Sequence, residues 1–465
     1  MTLRFGTDGI RGSDHELTPE LVVALGRAAA AALGLGPGAR FVIGRDTRRS
    51  GPLLESALAA GLAAAGVHVE RLGVLPTPGV AWVSATQHVA GAMISASHNV
   101  YSDNGIKFFA PGGRKLSDAV EATLEAALDE LVGQQATGRS ALVDVPGTVV
   151  DVDRSSHYGE RVLASLEGRR LDGLSIALDP AHGAASVVGP DVLVRSGAAL
   201  TVLHAAPDGT NINDDCGSTS PEALCGAVVE SGADLGLALD GDADRVVAVD
   251  HRGELVDGDQ LLVVLALDMQ GRGLLRDDTI VVTVMANLGL HRAMADHGIA
   301  VVQTPVGDRH VMAALERGGW SLGGEQSGHI ILPALATTGD GLLTGLLVAD
   351  VVRRTGRSLA ELASAMTRLP QVLRAVRLAR RDPELAARWR DEVVAVEEEL
   401  AGEGRVLVRA SGTEPVVRVM VEAPEAEWAE RLAERLVKAI EQATSFAGGQ
   451  RPPASPYVAS ASSER

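Results

Sequence analysis

The sequence predicts an α/β chain: three related α/β domains with mixed, mainly parallel sheets, followed by a smaller C-terminal α+β domain. Three observations lead there. The length, 465 residues, exceeds one ordinary hydrophobic core. A strand–loop–helix–glycine–strand pattern occurs three times. Its strands are near-continuous apolar runs alternating with helices, the mark of sheets covered on both faces.

The first copy runs from Arg40 to Pro78: strand 40–44, a polar loop, an Ala-rich helix from Leu53 to Ala65, Gly66, strand 67–74, then Pro-Thr-Pro. The second, Leu174 to Gly209, has strand 174–179, a helix from Val187 to Ser196, Gly197, strand 199–204 and a Pro-Asp-Gly turn. The third, Asp278 to Gly307, has strand 279–284, a helix from Leu288 to His297, Gly298 and strand 299–303. Each glycine stands where a helix C-cap belongs. Then the pattern changes. A strand from Gln371 to Ala379, an amphipathic helix from Pro383 to Leu400, strands 405–409 and 416–422 and a helix from Glu425 to Ala443 read as an α+β module. The expected domains are residues 1–150, 151–255, 256–368 and 369–445. Residues 446–465 lack apolar periodicity and are expected to be a disordered tail.

Composition narrows the function. Hydrophobic residues make up 46% and charged residues 22%, a globular balance. Aromatics, at 3%, are too scarce for a base-stacking surface, so the cores must be Ala, Val and Leu. A net charge of −18 disfavours nucleic acid and anionic membranes. A small anionic substrate would need local clusters of Arg and Lys. Cys216 and Cys225 have no CxxC spacing, which argues against a disulfide framework or structural zinc. The stretch MTLRFGTDGIRG has no signal-peptide h-region. The longest apolar run, Leu21 to Leu35, is interrupted by Arg27 and too short to span a bilayer. A soluble cytoplasmic protein is expected, binding neither nucleic acid nor membrane.

Chemistry concentrates in a few loops. An apolar strand, Gly91 to Ile94, runs into Ser95, Ser97, His98, Asn99, Ser102, Asp103 and Asn104, with Lys107 beyond. A hydroxyl can carry a phosphoryl group, and fixed donors can stabilise its charge. These residues are also ordinary in turns, and composition does not choose among the three serines. In LGLALDGDADRVVAV, Asp240, Asp242 and Asp244 alternate between two buried strands. Carboxylates so placed repel unless a cation sits among them, and all-oxygen ligands suit Mg²⁺ before Ca²⁺. An EF-hand fails, with Arg245 at the sixth loop position and His251 at the twelfth. In RASGTEPVVRVMV, a Ser-Gly-Thr turn between Arg409 and Arg418 can cradle phosphate, although a plain hairpin reads alike. Glu325, Ser327 and His329 in GGEQSGH can hydrogen-bond a polyol. Arg11 in FGTDGIRG can face an anion. Arg45, Arg48 and Arg49 precede a helix and read equally as basic loop decoration. No P-loop occurs, and the GxGxxA-like run at Gly34 precedes a strand instead of following one.

Taken in order, FGTDGIRG, SASHN before DNGIKFF, DGDADR, VGDR, GGEQSGH and SGTEP with RVMVE resemble the α-D-phosphohexomutase family, from Leu3 to about Ala443. The resemblance implies three similar α/β domains and a distinct fourth around a central cleft. It implies a phosphoserine at Ser97, with Asp240, Asp242, Asp244 and the Ser97 phosphate holding one Mg²⁺. Arg245, Arg11, His98 and Lys107 would serve the transferring phosphoryl group, Lys107 in acid–base help. Glu325, Ser327 and His329 would bind the sugar. Arg409, Ser411, Gly412, Thr413 and Arg418 would hold the substrate's non-reacting phosphate. The implied reaction moves phosphate between O6 and O1 of a hexose through a 1,6-bisphosphate, which also serves as activator. The wording GGEQSGH favours glucosamine phosphate over mannose or glucose phosphates, and so a role in amino-sugar and peptidoglycan precursor supply. A monomer or homodimer is expected. One departure stands out: Val100 follows SASHN where the family usually has proline, a change that bears on loop rigidity.

Overall fold

Each of the three repeats builds the same four strands in the same spatial order. The computed structural model describes residues 5–6, 9–13, 15–135, 145–378, 389–410 and 415–445. The first sheet contains β1 (Phe5–Gly6), β2 (Gly9–Ser13), β3 (Arg40–Arg45), β4 (His68–Val74), β5 (Ala90–Ile94), β6 (Asp103–Ala110), β7 (Arg114–Lys115) and β8 (Val149–Asp151). Its order is β1-β2-β6-β5-β3-β4-β8, with β7 beside β6. The second holds β9 (Ser175–Asp179), β10 (Ala199–Val202), β11 (Leu235–Leu239), β12 (Val246–Asp250) and β13 (Leu255–Val256), in the order β10-β9-β11-β12-β13. The third holds β14 (Thr279–Thr283), β15 (Ala300–Thr304), β16 (Gly323–Gly324) and β17 (Ile330–Ile331), in the order β15-β14-β16-β17.

In every sheet the first strand of the repeat pairs parallel with the second and third. The third then pairs antiparallel with a fourth. The sheets are therefore mixed. Parallel pairing occupies the β–helix–β part and antiparallel pairing the hairpin that follows. Three loops, 95–102, 240–245 and 325–329, thus occupy equivalent places, each leaving the carboxyl end of a third parallel strand. That is where open α/β sheets place their sites.

The strands fit this burial. β5, β11, β12 and β14 are buried at every residue. Small side chains replace aromatics as the packing solution. The helices Pro19–Ala32 and Gly51–Ala64 cross at Gly26 and Gly61, where a Cβ on Gly61 would lie 2.2 Å from the Val23 carbonyl oxygen. Gly197 caps its helix in the left-handed region, as its position in the repeat requires.

The chain divides into two compact units, the larger carrying the three repeats. The smaller carries β18 (Gln371–Arg377), β19 (Arg405–Ala410) and β20 (Val416–Glu422) as an antiparallel sheet, β18-β20-β19. Its helices Arg390–Leu400 and Ala426–Ser445 cover a core of Val396, Val417, Val419, Leu432 and Leu436. The start of the helix expected from Pro383 and the tail 446–465 lie outside the described residues. Among the described residues no helix is long and apolar enough to cross a membrane.

The two cysteines are free and differ in burial. Burial, with Asp179 and Asp214 nearby, pushes the Cys216 thiol up to about 12, whereas Cys225 is only half-buried. A thiol reagent at pH 8 is expected to modify at most Cys225 in the native protein and both after unfolding. Rapid native modification of Cys216 would contradict its placement.

Candidate active site

Two of the equivalent loops meet at Ser97 and the aspartates. Ser97 follows β5 with φ +54°, in the left-handed region, and it is 1% exposed. Its Oγ donates to Asp240 Oδ2 at 2.6 Å, and its backbone N–H donates to Ser95 Oγ at 2.9 Å. His98 Nδ1 lies 3.3 Å from Ser97 Oγ. Burial, reinforced by Arg245 and Arg11, lowers the His98 imidazole to about 4, so it is neutral at physiological pH.

Asp240, Asp242 and Asp244 leave β11 on a turn whose Ala243 has φ +57°. A carboxylate oxygen from each lies within 4.8 Å of the other two. Asp242 Oδ2 accepts from Thr77 Oγ1 at 2.6 Å and from Lys107 Nζ at 2.7 Å. Lys107 Nζ also reaches Asp244 Oδ2 at 3.2 Å. Lys107 sits on β6, in register opposite Met93 of β5, so the antiparallel hairpin carries the amine back to the loop its own strand begins from. Burial and the neighbouring Asp244 and Asp242 hold the Asp240 carboxyl well above its usual range. Burial also pushes Asp244 up, but Lys107, His329 and Arg245 outweigh it and leave its carboxyl well below that range.

Lys107 binds Asp242 and Asp244, and Arg245 and His329 flank Asp244, so the cations gather at those two carboxylates. Asp242 Oδ1 and Asp244 Oδ1 are buried and take no hydrogen bond among the described residues. Converging hard oxygens with two open acceptors fit a divalent cation.

The third loop adds its residues to the same place. A cavity of about 110 Å³ is lined by Ser97 and Lys107, by Arg11 from β2, by Asp244 and Arg245, and by Gly307, Asp308, Glu325 and His329. Arg11 enters because β2 pairs with β6, opposite Gly105. Glu325 Oε1 accepts from the Gly307 N–H at 3.1 Å. His329 is 3% exposed, with Nδ1 3.6 Å from Asp244 Oδ1 and Nε2 accepting from the Gly339 N–H at 3.0 Å. Burial disfavours its imidazolium, but Asp244 and Asp308 more than offset this and raise its pKa. His329 thus lines the cavity and stands beside Asp244. Ser327 is exposed and does not line the cavity.

In the smaller unit, Arg409 of β19 stands in register opposite Arg418 of β20. Burial and the facing Arg418 lower the Arg409 guanidinium pKa. Like charges opposed across a strand pair destabilise it unless an anion joins them. Ser411, Gly412 and Thr413, expected beside them, lie outside the described residues.

Some of the structure runs against, or past, the sequence reading. Arg48 is not surface decoration: it is 1% exposed and paired with Asp46 at 2.9 Å. Arg45 pairs with Glu55, and Arg49 stacks 5.0 Å over Tyr101. Thr77, inside the Pro-Thr-Pro that ends the first repeat, carries no signal of its role in the sequence. Its hydroxyl and N–H both bind Asp242, the N–H reaching the carbonyl oxygen at 2.9 Å.

Gly241 lets the serine loop come this close. A Cβ there would lie 2.6 Å from the Ser97 carbonyl oxygen and 2.7 Å from Asn213 Nδ2. Gly241→Ala is expected to cost about 1–3 kcal/mol of stability. It should also cost more than about tenfold in kcat, by displacing Ser97 from Asp240. Thermal melts beside steady-state kinetics check this, and wild-type turnover would contradict it.

Four family profiles cover the chain. They are described as phosphoglucomutase/phosphomannomutase alpha/beta/alpha domains I, II and III and the C-terminal domain, and match residues 2–133, 156–253, 257–369 and 361–439 respectively. The phosphoglucosamine mutase of Mycolicibacterium vanbaalenii is 51% identical over 95% of this chain and 99% of its own. That of Streptomyces avermitilis is 52% identical over 94% and 99%. Among solved structures, a phosphoglucomutase/phosphomannomutase family protein from Burkholderia thailandensis superposes with a TM-score of 0.78 at 23% identity, covering 94% of this chain and 97% of its own. An N-acetylphosphoglucosamine mutase from Aspergillus fumigatus, solved with GlcNAc-6P and magnesium, gives 0.68 at 19% identity, covering 96% of both chains. Full-length matches at half identity, on a fold whose three equivalent loops converge on a serine and three aspartates, place the chain in the phosphoglucomutase/phosphomannomutase family, the α-D-phosphohexomutases.

Proposed function

We propose that this enzyme interconverts glucosamine 6-phosphate and glucosamine 1-phosphate through a phosphoserine at Ser97. The observation that carries the chemistry is the Ser97 hydroxyl, held 2.6 Å from Asp240 within a cavity that also presents Lys107, Arg11 and Arg245. The choice of sugar rests on relatives at about half identity that bear that activity's name.

Phospho-Ser97 gives its phosphoryl group to O1 of glucosamine 6-phosphate. The P–Oγ bond breaks and the P–O1 bond forms. Lys107, as ammonium, supplies a proton to Ser97 Oγ and recovers the one leaving O1, so protons balance. The 1,6-bisphosphate then turns end for end, and the same steps in reverse return the O6 phosphoryl group to Ser97. Arg11 and Arg245 oppose the charge spread over the phosphoryl oxygens. His98, neutral, offers a hydrogen bond without changing that charge. Glu325, which lines the cavity, binds sugar hydroxyls, and His329 holds Asp244. Arg409 and Arg418, with Ser411, Gly412 and Thr413, bind the phosphate that is not reacting. Asp240, Asp242, Asp244 and the Ser97 phosphate would hold Mg²⁺. When bound, that ion supplies positive charge to the transferring group. A trace of hexose 1,6-bisphosphate primes the serine. We place the enzyme in the cytoplasm, as a monomer or homodimer feeding UDP-N-acetylglucosamine and peptidoglycan precursor synthesis.

The test is kcat/KM on the 6-phosphates of glucosamine, mannose and glucose, with Mg²⁺ and a trace of bisphosphate. Glucosamine 6-phosphate is expected to lead by about tenfold or more. A lead for mannose or glucose would move the assignment to a phosphomannomutase or phosphoglucomutase. Release of inorganic phosphate without isomer would make the protein a metal-dependent sugar phosphatase.

A further inference from the structure

The loop that carries Ser97 is gripped by its carbonyl oxygens from two repeats at once. Arg48, of the first repeat, donates through Nη2 to the Ser97 carbonyl at 3.1 Å and the Asn99 carbonyl at 2.8 Å, and through Nη1 to the Val100 carbonyl. Asn213, of the second repeat, donates through Nδ2 to the same two carbonyls, Ser97 at 2.8 Å and Asn99 at 2.9 Å. We propose that Asn213 and Arg48 form a positioning clamp that fixes the Ser97 hydroxyl against the aspartate loop through both half-reactions.

Three features favour this over incidental packing. The Ser97 and Asn99 carbonyls each take a donor from both side chains, more than a turn needs to satisfy one buried acceptor. Asn213 is itself held: its φ is +55°, its N–H donates to the Ala181 carbonyl at 3.1 Å, and Ala181 has φ +56°. Asp179 fixes that bracket, accepting from the N–H groups of Ala181 at 2.8 Å and Gly217 at 3.0 Å and pairing with His204 at 2.8 Å. Strained backbone gathered around one side chain is found where placement matters to function. Finally, the chain has Val100 where a proline ring would stiffen the loop. Val100 is 53% exposed, and its carbonyl is one of those Arg48 holds.

Because Asn213 lies on the repeat that carries the aspartates, the clamp sets the distance from Ser97 to them directly. A serine that gives up and regains a phosphoryl group needs the same position in both states. Slack would expose the phosphoserine to water or slow its transfer.

Asn213→Gly is the decisive variant. Glycine adopts φ +55° freely, so the backbone remains while the two donors go. The clamp rests on the mutase reading for its kinetic consequence only, so two readouts are taken. Hydrogen exchange is expected to speed up by about tenfold or more at the amides of residues 97–103, with the rest of the protein unchanged. Mutase kcat is expected to fall by about 10-fold to 100-fold, with KM within threefold and faster loss of the Ser97 phosphoryl group to water. Arg48→Lys, which keeps the charge but not the fork, should show the same pattern more weakly. Unchanged exchange in the loop overturns the clamp whatever the substrate proves to be. So does a fall in kcat matched by an equal rise in KM and a general loss of protection, which is the signature of a merely structural residue. A wild-type protein that takes no phosphoryl group overturns the mutase reading, and the exchange data still decide the clamp.

Discussion

Replacing Ser97 by alanine stops turnover and leaves the protein folded. The substitution removes one oxygen and its hydrogen bond to Asp240. It keeps a residue at φ +54°, which serine already tolerates at the same steric cost. The loss in stability is then that of one buried hydrogen bond, about 1–2 kcal/mol. The loss in kcat is that of the group which carries the phosphoryl, about four orders of magnitude or more. A coupled assay on glucosamine 6-phosphate beside a thermal melt reads both quantities. Full activity in Ser97→Ala would remove the nucleophile and the two-step mechanism with it. Inactivity accompanied by global unfolding would leave Ser97 a structural residue.

Lys107→Met carries the second large effect, and here stability moves first. Lys107 is 2% exposed and is the cation that binds both Asp242 and Asp244. Methionine fills much of the same volume without the charge. Removing one partner of a buried ion pair costs about 3–5 kcal/mol, here chiefly at Asp242, since Asp244 keeps Arg245 and His329 beside it. In a chelator the variant should melt more than about 5 °C below wild type. Millimolar Mg²⁺ should recover part of that difference, since an ion that binds only the folded state stabilises it by linkage. Activity is expected to stay more than about a hundredfold down even with the ion restored, for lack of the proton carrier. A variant that melts with wild type in chelator would contradict the charge balance described for the aspartate loop.

Much of this site was legible in the chain, and the limits have physical causes. The aspartate turn could be read because three carboxylates between buried strands admit few explanations. The repeat could be read from apolar runs and capping glycines. The direction of its fourth strand could not: β6, β12 and β17 are buried like their neighbours, and a buried run looks alike in either direction. That strand closes each hairpin, brings Lys107 back to Ser97, and turns His329 inward beside Asp244. Arg48 was misjudged because its carbonyl partners lie about fifty residues away, at Ser97, Asn99 and Val100. Asn213 fell beyond Gly209, where the legible pattern of the second repeat stops, in a stretch of left-handed backbone that leaves no periodic signal. Thr77 was hidden by the two prolines around it. Charge pattern and burial period announce a site's charged groups. The neutral donors that hold its backbone are visible only in the fold.

The central claim is that the phosphoryl group passes through Ser97. Its most direct test is to label the protein with ³²P from hexose 1,6-bisphosphate, map the label, and chase it with unlabelled glucosamine 6-phosphate on a rapid-quench instrument. The label should sit on Ser97 and leave for sugar phosphate at least as fast as kcat. Label on another residue, label on Ser97 that does not chase, or steady turnover without label would contradict the claim.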